Sequence, residues 1–380
     1  MFPARCQRGA TGSPARPATL VHWRFGMDSR TTHWCSLGGL LAVVTLLGAC
    51  MPIRYVTQAS AGQGELTKRA VPLEKATAAQ HLKPRVRALL ARVPEIKAFG
   101  ERYGLRPTKN YTTYADLDRP EVLWVVSACE PLGFTPKTWR FPVVGSFTYL
   151  GWFQRTEADT FATGLRQDGL DVDVRPSHAY STLGWFKDPV LSTMISPDED
   201  ALGELAEVIL HESLHATFYV NGQSTLNESV AKFVGDGLAL TYLAETLGQD
   251  SFERVRYLDA QAEDESRGRA MRDAYESLAK VYESKASDRE KLAEKERILR
   301  ELRIRGQFRR APNNATLIQY KTYGSGHAEL GALLGACGGS WKRFLKTLEA
   351  SRKHFESQKE HEEPKDLLTP VVAKGCAFAP

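Results

Sequence analysis

Residues 211–215 read His-Glu-Ser-Leu-His, at the end of a stretch carrying Leu202, Leu205, Val208, Ile209 and Leu210 at helical spacing. Ionisable side chains adjoining an apolar run cost free energy unless something satisfies them. A helix supplies the geometry. Residues four apart share a face, so the imidazoles of His211 and His215 can reach one ion. Glu212, one position on, is turned by about 100° and can face the open side of that ion. Ser196-Pro197-Asp198-Glu199 predicts where the helix begins: Ser196 caps it, Pro197 takes the first helical position and Glu199 closes a capping box.

Two histidines leave a metal site incomplete. After the motif comes Asn221-Gly222, a strong turn signal, and then Leu226-Asn227-Glu228-Ser229. A second helix beginning near Ser224 or Thr225 can return Glu228, thirteen residues after His215, as a third ligand. His211, His215 and Glu228 form the two-histidine, one-carboxylate set of catalytic Zn²⁺, which leaves a coordination position free. Glu212 is then the expected catalytic general base, holding the attacking water. A purely structural zinc would have no use for it.

The 380 residues suffice for one large domain or two ordinary ones. Over 76–103, Leu82, Val86, Leu89, Leu90, Val93, Ile96 and Phe99 recur at helical steps, and Pro94 allows a break into two helices. Residues 121–128 (EVLWVVSA), 141–145 (FPVVG), 171–174 and 191–195 predict strands, with a short helix over 157–169. The expected class is α+β, predominantly helical, with a small sheet packed on the helix of the His-Glu motif. Residues 251–306 are highly charged and without proline. Leu258, Tyr275, Leu278, Val281, Tyr282, Leu292, Ile298, Leu299 and Leu302 offer a narrow apolar seam. They predict a long helical hairpin, inserted in a domain spanning 76–380, turning near Ser284–Asp288 and lying away from the metal.

The beginning of the chain reads differently. Leu37–Leu47 (LGGLLAVVTLL) is an uncharged run of signal-peptide length, too short to span a bilayer as a stable helix. It ends in Leu47-Gly48-Ala49-Cys50, which resembles a bacterial lipobox. Residues 1–49 are expected to be removed as a signal peptide, Cys50 to carry a lipid anchor, and the polar stretch 50–75 to act as a tether. Met27 offers an alternative start. Residue 51 is Met rather than Asp, so nothing there argues for retention in the inner membrane. The expected location is the bacterial cell envelope, facing the periplasm, on the outer membrane. Residues 1–49 also hold five arginines against one acid. Of 50 basic and 45 acidic residues, 45 and 44 remain without them, a charge of about +1, and no nucleic-acid partner is inferred. Six cysteines are present, and with Cys6, Cys35 and Cys50 set aside, Cys129, Cys337 and Cys376 allow at most one disulfide.

The motif followed by Asn-Glu resembles the gluzincin metallopeptidases, and residues 225–231 (TLNESVA) are similar to the LNExxA element of zinc aminopeptidases, at shorter spacing. More specifically, 141–153 (FPVVGSFTYLGWF), 179–195 (AYSTLGWFKDPVLSTMI), 211–220 (HESLHATFYV) and 226–236 (LNESVAKFVGD) resemble a family of bacterial predicted aminopeptidases with lipoprotein leaders, from about residue 50 to the C-terminus. The resemblance implies an aminopeptidase acting on peptides. One position departs: thermolysin-like gluzincins carry an Asp four residues after the third ligand to orient a histidine, and here it is Lys232. The partner of that histidine must come from elsewhere, with Asp236 a candidate.

In related clans an edge strand beside the metal holds the substrate backbone, and Leu191–Ile195, with Gly184 and Trp185 near the cleft, could be that strand. A later Tyr or His often stabilises the oxyanion in this clan. Tyr320, Tyr323 and His327 are the candidates, and Tyr323 is chosen as the second catalytic residue. His178 is spaced too widely for a convincing ligand. No GxMEN element occurs, so the acid that would bind a substrate amine is not located. The leading reading is a lipid-anchored zinc aminopeptidase with a peptide substrate. An endopeptidase of the same chemistry and a non-catalytic metal-binding envelope lipoprotein are the alternatives.

Overall fold

The computed structural model describes residues 51–141, 145–180, 187–321, 324–359 and 363–378. Residues 1–49, expected as a signal peptide, and Cys50, Gly184, Trp185 and Tyr323 lie outside the described residues. The architecture is α+β and predominantly helical, with a small amount of mixed sheet. Among the described residues no helix is long and apolar enough to cross a membrane.

Helix α1 (Met51–Arg69) runs into strand β1 (Ala70–Pro72) and the short helix α2 (Leu73–Ala78). This corrects the expected tether over 50–75. The local sequence is polar, but distant partners fix it. Gln58 donates to Gly151 O at 2.9 Å and accepts from the Phe153 N–H at 3.0 Å, and the Tyr55 ring packs tilted against Phe141 and edge-to-face with Trp152. Helix α3 (Pro84–Arg102) passes through Pro94 without breaking. Pro94 is on the exposed side of the helix, while Leu90, Val93, Ile96 and Phe99 hold the opposite face in the core.

The sheet expected as one is divided. Strand β2 (Thr113–Ala115) lies between antiparallel β1 and parallel β8 (Val190–Leu191). A second sheet has β3 (Leu123–Cys129) at its centre, flanked by antiparallel β6 (Tyr149–Trp152) and β7 (Asp171–Ser177), with Val126 opposite both Leu150 and Val174. Strands β4 (Trp139–Phe141) and β5 (Gly145–Phe147) form a separate pair. Successive side chains of a strand point to opposite faces, and β3 uses both: Leu123 and Val125 join the main core, while Val126 and Ala128 pack in a second core with Ala158, Ala162 and Leu165 of helix α4 (Arg155–Gln167). Residues 191–195 are not the expected strand. It stops at Leu191, and Ser192–Met194 turn as a 3₁₀ helix, with the Ser192 hydroxyl taking the Leu117 N–H.

Helix α5 (Ala201–Thr217) begins four residues later than expected, with Asp200 rather than Ser196 at its N-cap. Ser196 instead accepts the Asp198 N–H at 3.1 Å and shapes a turn before the helix. Helix α6 (Ser224–Leu247) follows, antiparallel in the return that the turn at 221–222 predicts. The charged segment forms α7 (Phe252–Glu283) and α8 (Asp288–Arg305), with Ser287 and Glu290 making a capping box at the start of α8. Met271, Ala274, Leu278, Ile298 and Leu302 are its seam. Leu292 of the expected seam is exposed. Short helix α9 (Asn314–Leu317), α10 (His327–Ala336), α11 (Trp341–Ala350), α12 (Arg352–Glu356) and α13 (Pro364–Lys374) complete the chain.

The hairpin is tied down at two places, which corrects its expected separation from the metal helices. Tyr257, near the start of α7, is buried against Gly203 of α5, where a Cβ would lie 2.5 Å from its ring, and its hydroxyl donates to Asp236 of α6 at 3.2 Å. Farther along, the buried Lys295 ammonium reaches Asp171 of β7 at 2.6 Å and Pro131 O at 2.8 Å. A disulfide joins Cys337 to Cys376, and Cys129 is a buried free thiol.

Candidate metal centre

Helices α5 and α6 lie close because α6 presents Gly235 to α5. A Cβ there would sit 3.1 Å from both Glu207 Oε1 and His211 Cβ. The connection between the helices is set by Asn227, which is buried. Its side-chain amide donates to Val220 O at 2.8 Å, and its carbonyl oxygen accepts the Val220 N–H at 2.8 Å. The next residue is Glu228. Asn227 thus satisfies the backbone where the chain leaves α5 and fixes the turn of α6 that carries the acid.

The expected ligands come together. His211 Nε2 lies 3.5 Å from one Glu228 oxygen and His215 Nε2 lies 3.8 Å from the other. One donor atom from each of the three residues falls within 4.8 Å of the others. Donors held about 2.0–2.2 Å from a tetrahedral ion stand about 3.4 Å apart; the His211–Glu228 separation is close to that and the His215–Glu228 one somewhat wider, and the mix of two imidazoles and a carboxylate suits zinc. His211 is buried, His215 half-buried and Glu228 more open, which leaves one side of the cluster accessible. Glu212 is half-buried beside it, and its charge acts on His211.

Sequence reasoning missed the residue behind His211. Glu207, one helical turn earlier and buried, places Oε1 3.5 Å from His211 Nδ1. Burial disfavours a charged His211, but contacts with Glu207 and Glu228 outweigh it and push its pKa up to about 9. The same pair of carboxylates favours any cation held there. Burial raises the Glu207 pKa, opposed by His211 and by the charge of Lys232. Lys232 occupies the position where the resembling peptidases carry Asp, and its ammonium is 2.6 and 2.5 Å from the two Asp236 oxygens. Asp236 therefore faces Lys232 and Tyr257, and the carboxylate at the histidine is Glu207. The i, i+4 spacing of Glu207 and His211 was the available signal.

The remaining candidates sit elsewhere. His178 Nδ1 is 3.0 Å from Pro120 O, and its carbonyl takes the Thr193 hydroxyl. Tyr320 lies under the charge influence of Arg175 and Asp173 of β7. His327 lies on the α6 flank, its ring 6.0 Å from that of Phe233. Exposed Tyr219, just past the end of α5, has its ring 6.4 Å from that of His215.

No curated protein and no solved structure matches the chain. A family model described as "Putative aminopeptidase" matches residues 54–363, which span most of the chain and include both helices of the centre. The chain belongs to this aminopeptidase family.

Proposed function

We propose that the protein is a zinc-dependent aminopeptidase that cleaves peptides with Glu212 as general base and His211, His215 and Glu228 as metal ligands. The observation that carries this reading is the convergence of those three donor sets beside Glu212, at separations suited to a tetrahedral ion. Family membership supports a peptidase and, specifically, an aminopeptidase.

Zinc, when bound, would act as a Lewis acid that polarises the scissile carbonyl and lowers the pKa of the attacking water. The protein's own groups do the rest. Glu212 accepts the proton of that water and returns it to the departing amine. His211 and Glu228 keep the ligand face in register across two helices, and Asn227 holds those helices at the required separation. Tyr323 is proposed as the oxyanion donor.

The proposal extends to location: Cys50 lipidated, the catalytic body facing the periplasm at the outer membrane. The Cys337–Cys376 disulfide suits an oxidising compartment. The test combines metal analysis with a paired peptide library, one half with free amines and the other acetylated. Stoichiometric zinc and cleavage confined to free-amine peptides is the expected result. Cleavage of both halves would make the enzyme an endopeptidase, and no cleavage by zinc-loaded protein would overturn the peptidase reading.

A further inference from the structure

Glu207 is a buried carboxylate on the interior face of α5, between Ala206 and Val208 and with Leu205 and Ile209 nearby in the core. An apolar side chain is the ordinary occupant of such a place, because an unpaired buried charge is costly. The structure accommodates the acid through specific neighbours. Gly235 leaves room for Oε1, His211 Nδ1 lies 3.5 Å from it, and Lys232 on α6 contributes an opposing charge. Lys232 is itself held by Asp236, which also accepts from Tyr257 of α7. The line of groups behind the centre thus runs from His211 through Glu207 and Lys232 to Asp236 and Tyr257.

The geometry points to Glu207 as a positioning residue, proposed here to hold His211 with its Nδ1–H toward the carboxylate and its Nε2 toward Glu228, with Lys232 balancing the added negative charge. The proposal rests on the reading of His211, His215 and Glu228 as a zinc site. A histidine ligand has two nitrogens, and the partner of one decides which is presented to the metal. Here the assignment follows from position: Nδ1 faces back into α5 and Nε2 is the atom 3.5 Å from Glu228. The residue substitutes for the Asp expected on the second helix. Glu207 on the first helix and Lys232 on the second carry opposite charges, so the sum of the two is near zero.

The experiment compares wild type, Glu207→Gln, Glu207→Leu and Lys232→Met in the full chain, by chelator competition for zinc and by melting with and without the metal. Glu207→Leu is expected to weaken zinc binding about 10–100-fold and to shrink the rise in melting temperature on zinc addition, while the metal-free protein melts no lower than wild type. Glu207→Gln retains an acceptor oxygen without charge and is expected to fall between the two. Lys232→Met reads the same line of groups without touching His211, and should change zinc affinity in a protein whose core is intact. Zinc bound equally tightly by wild type and Glu207→Leu overturns the role of Glu207 alone. A fall in metal-free melting with unchanged zinc affinity does the same, since it marks a packing role. A wild-type protein that takes up no zinc overturns the metal-site reading and this inference together.

Discussion

Asn227 closes two 2.8 Å hydrogen bonds on the backbone of Val220, one through each end of its amide. The next residue is Glu228, the acid of the candidate metal cluster. The Asn-Glu pair therefore divides its work: Asn227 sets the path between the helices, and Glu228 uses the position that path creates. Only an amide offers both a donor and an acceptor in that geometry.

Asn227→Ala is expected to lower stability by about 2–4 kcal/mol, because a buried N–H and a buried carbonyl both lose their partner. Zinc uptake should fall with it, since Glu228 loses its anchor. Asn227→Asp retains an acceptor for the Val220 N–H but no donor for the carbonyl, and should lie between alanine and wild type. Urea unfolding followed by zinc titration of the folded fraction reads both effects. Wild-type stability in the alanine variant would show that the two bonds contribute nothing net.

The hairpin offers a separate test at its far attachment. Lys295 is buried with Asp171 and Pro131 O as partners, and Asn314 joins the same cluster by donating its backbone N–H to Asp171 at 2.9 Å. Removing one member of a buried ion pair typically costs about 3–5 kcal/mol. Lys295→Ala is expected to show that loss in chemical denaturation, and Lys295→Met with Asp171→Asn to recover part of it, because no charge is then left unpaired. Equal losses in the single and double variants would mean that packing rather than charge is responsible.

These residues mark what the sequence made legible. The clustering of His211, His215 and Glu228, and the hairpin, follow from spacing along short stretches of chain, so the pattern carries them. The order of α1 was not legible, because the contacts that hold it lie about 90 residues away at Gly151 and Phe153. The start of α5 was misplaced for a local reason: Ser196 can cap a helix or a turn, and the sequence does not choose between them. Glu207, one turn before His211, has the spacing of a partner, but Gly235 and Lys232, which accommodate its burial, lie on the second helix and are not adjacent to it in sequence.

Helix α1 provides a pH-dependent check on that correction. Arg119 grips Glu65 with contacts of 2.8, 3.1 and 3.0 Å. The hydrogen bonds from Arg119 lower the Glu65 pKa below 4.5 despite opposing burial. A carboxyl whose folded pKa is depressed adds stability above its unfolded pKa and loses it as pH falls through the folded value. Arg119→Met should therefore lower stability, on the order of 1 kcal/mol, by a constant amount above pH 5. The gap to wild type should narrow as pH drops below about 4. Unfolding curves at a series of pH values check this, and a gap that stays constant down to pH 2 would remove Glu65 from the account.

The strongest prediction about mechanism separates metal binding from proton transfer. Glu212 lies between His211 and His215 in sequence, and His211 faces Glu228 and Glu207; in the proposed mechanism Glu212 acts on the water and not on the metal. Glu212→Gln preserves size and much of the hydrogen bonding but removes the base. Its peptidase rate is expected to fall by about 10²–10⁴, with zinc content unchanged because His211, His215 and Glu228 are intact. His215→Ala removes a ligand and should lose zinc and activity together. Metal analysis beside initial rates on a free-amine peptide distinguishes the two. Full activity in a zinc-loaded Glu212→Gln protein would exclude Glu212 as the base. Loss of zinc from that variant would instead make Glu212 a ligand, and the assignment of Glu228 would then have to be withdrawn.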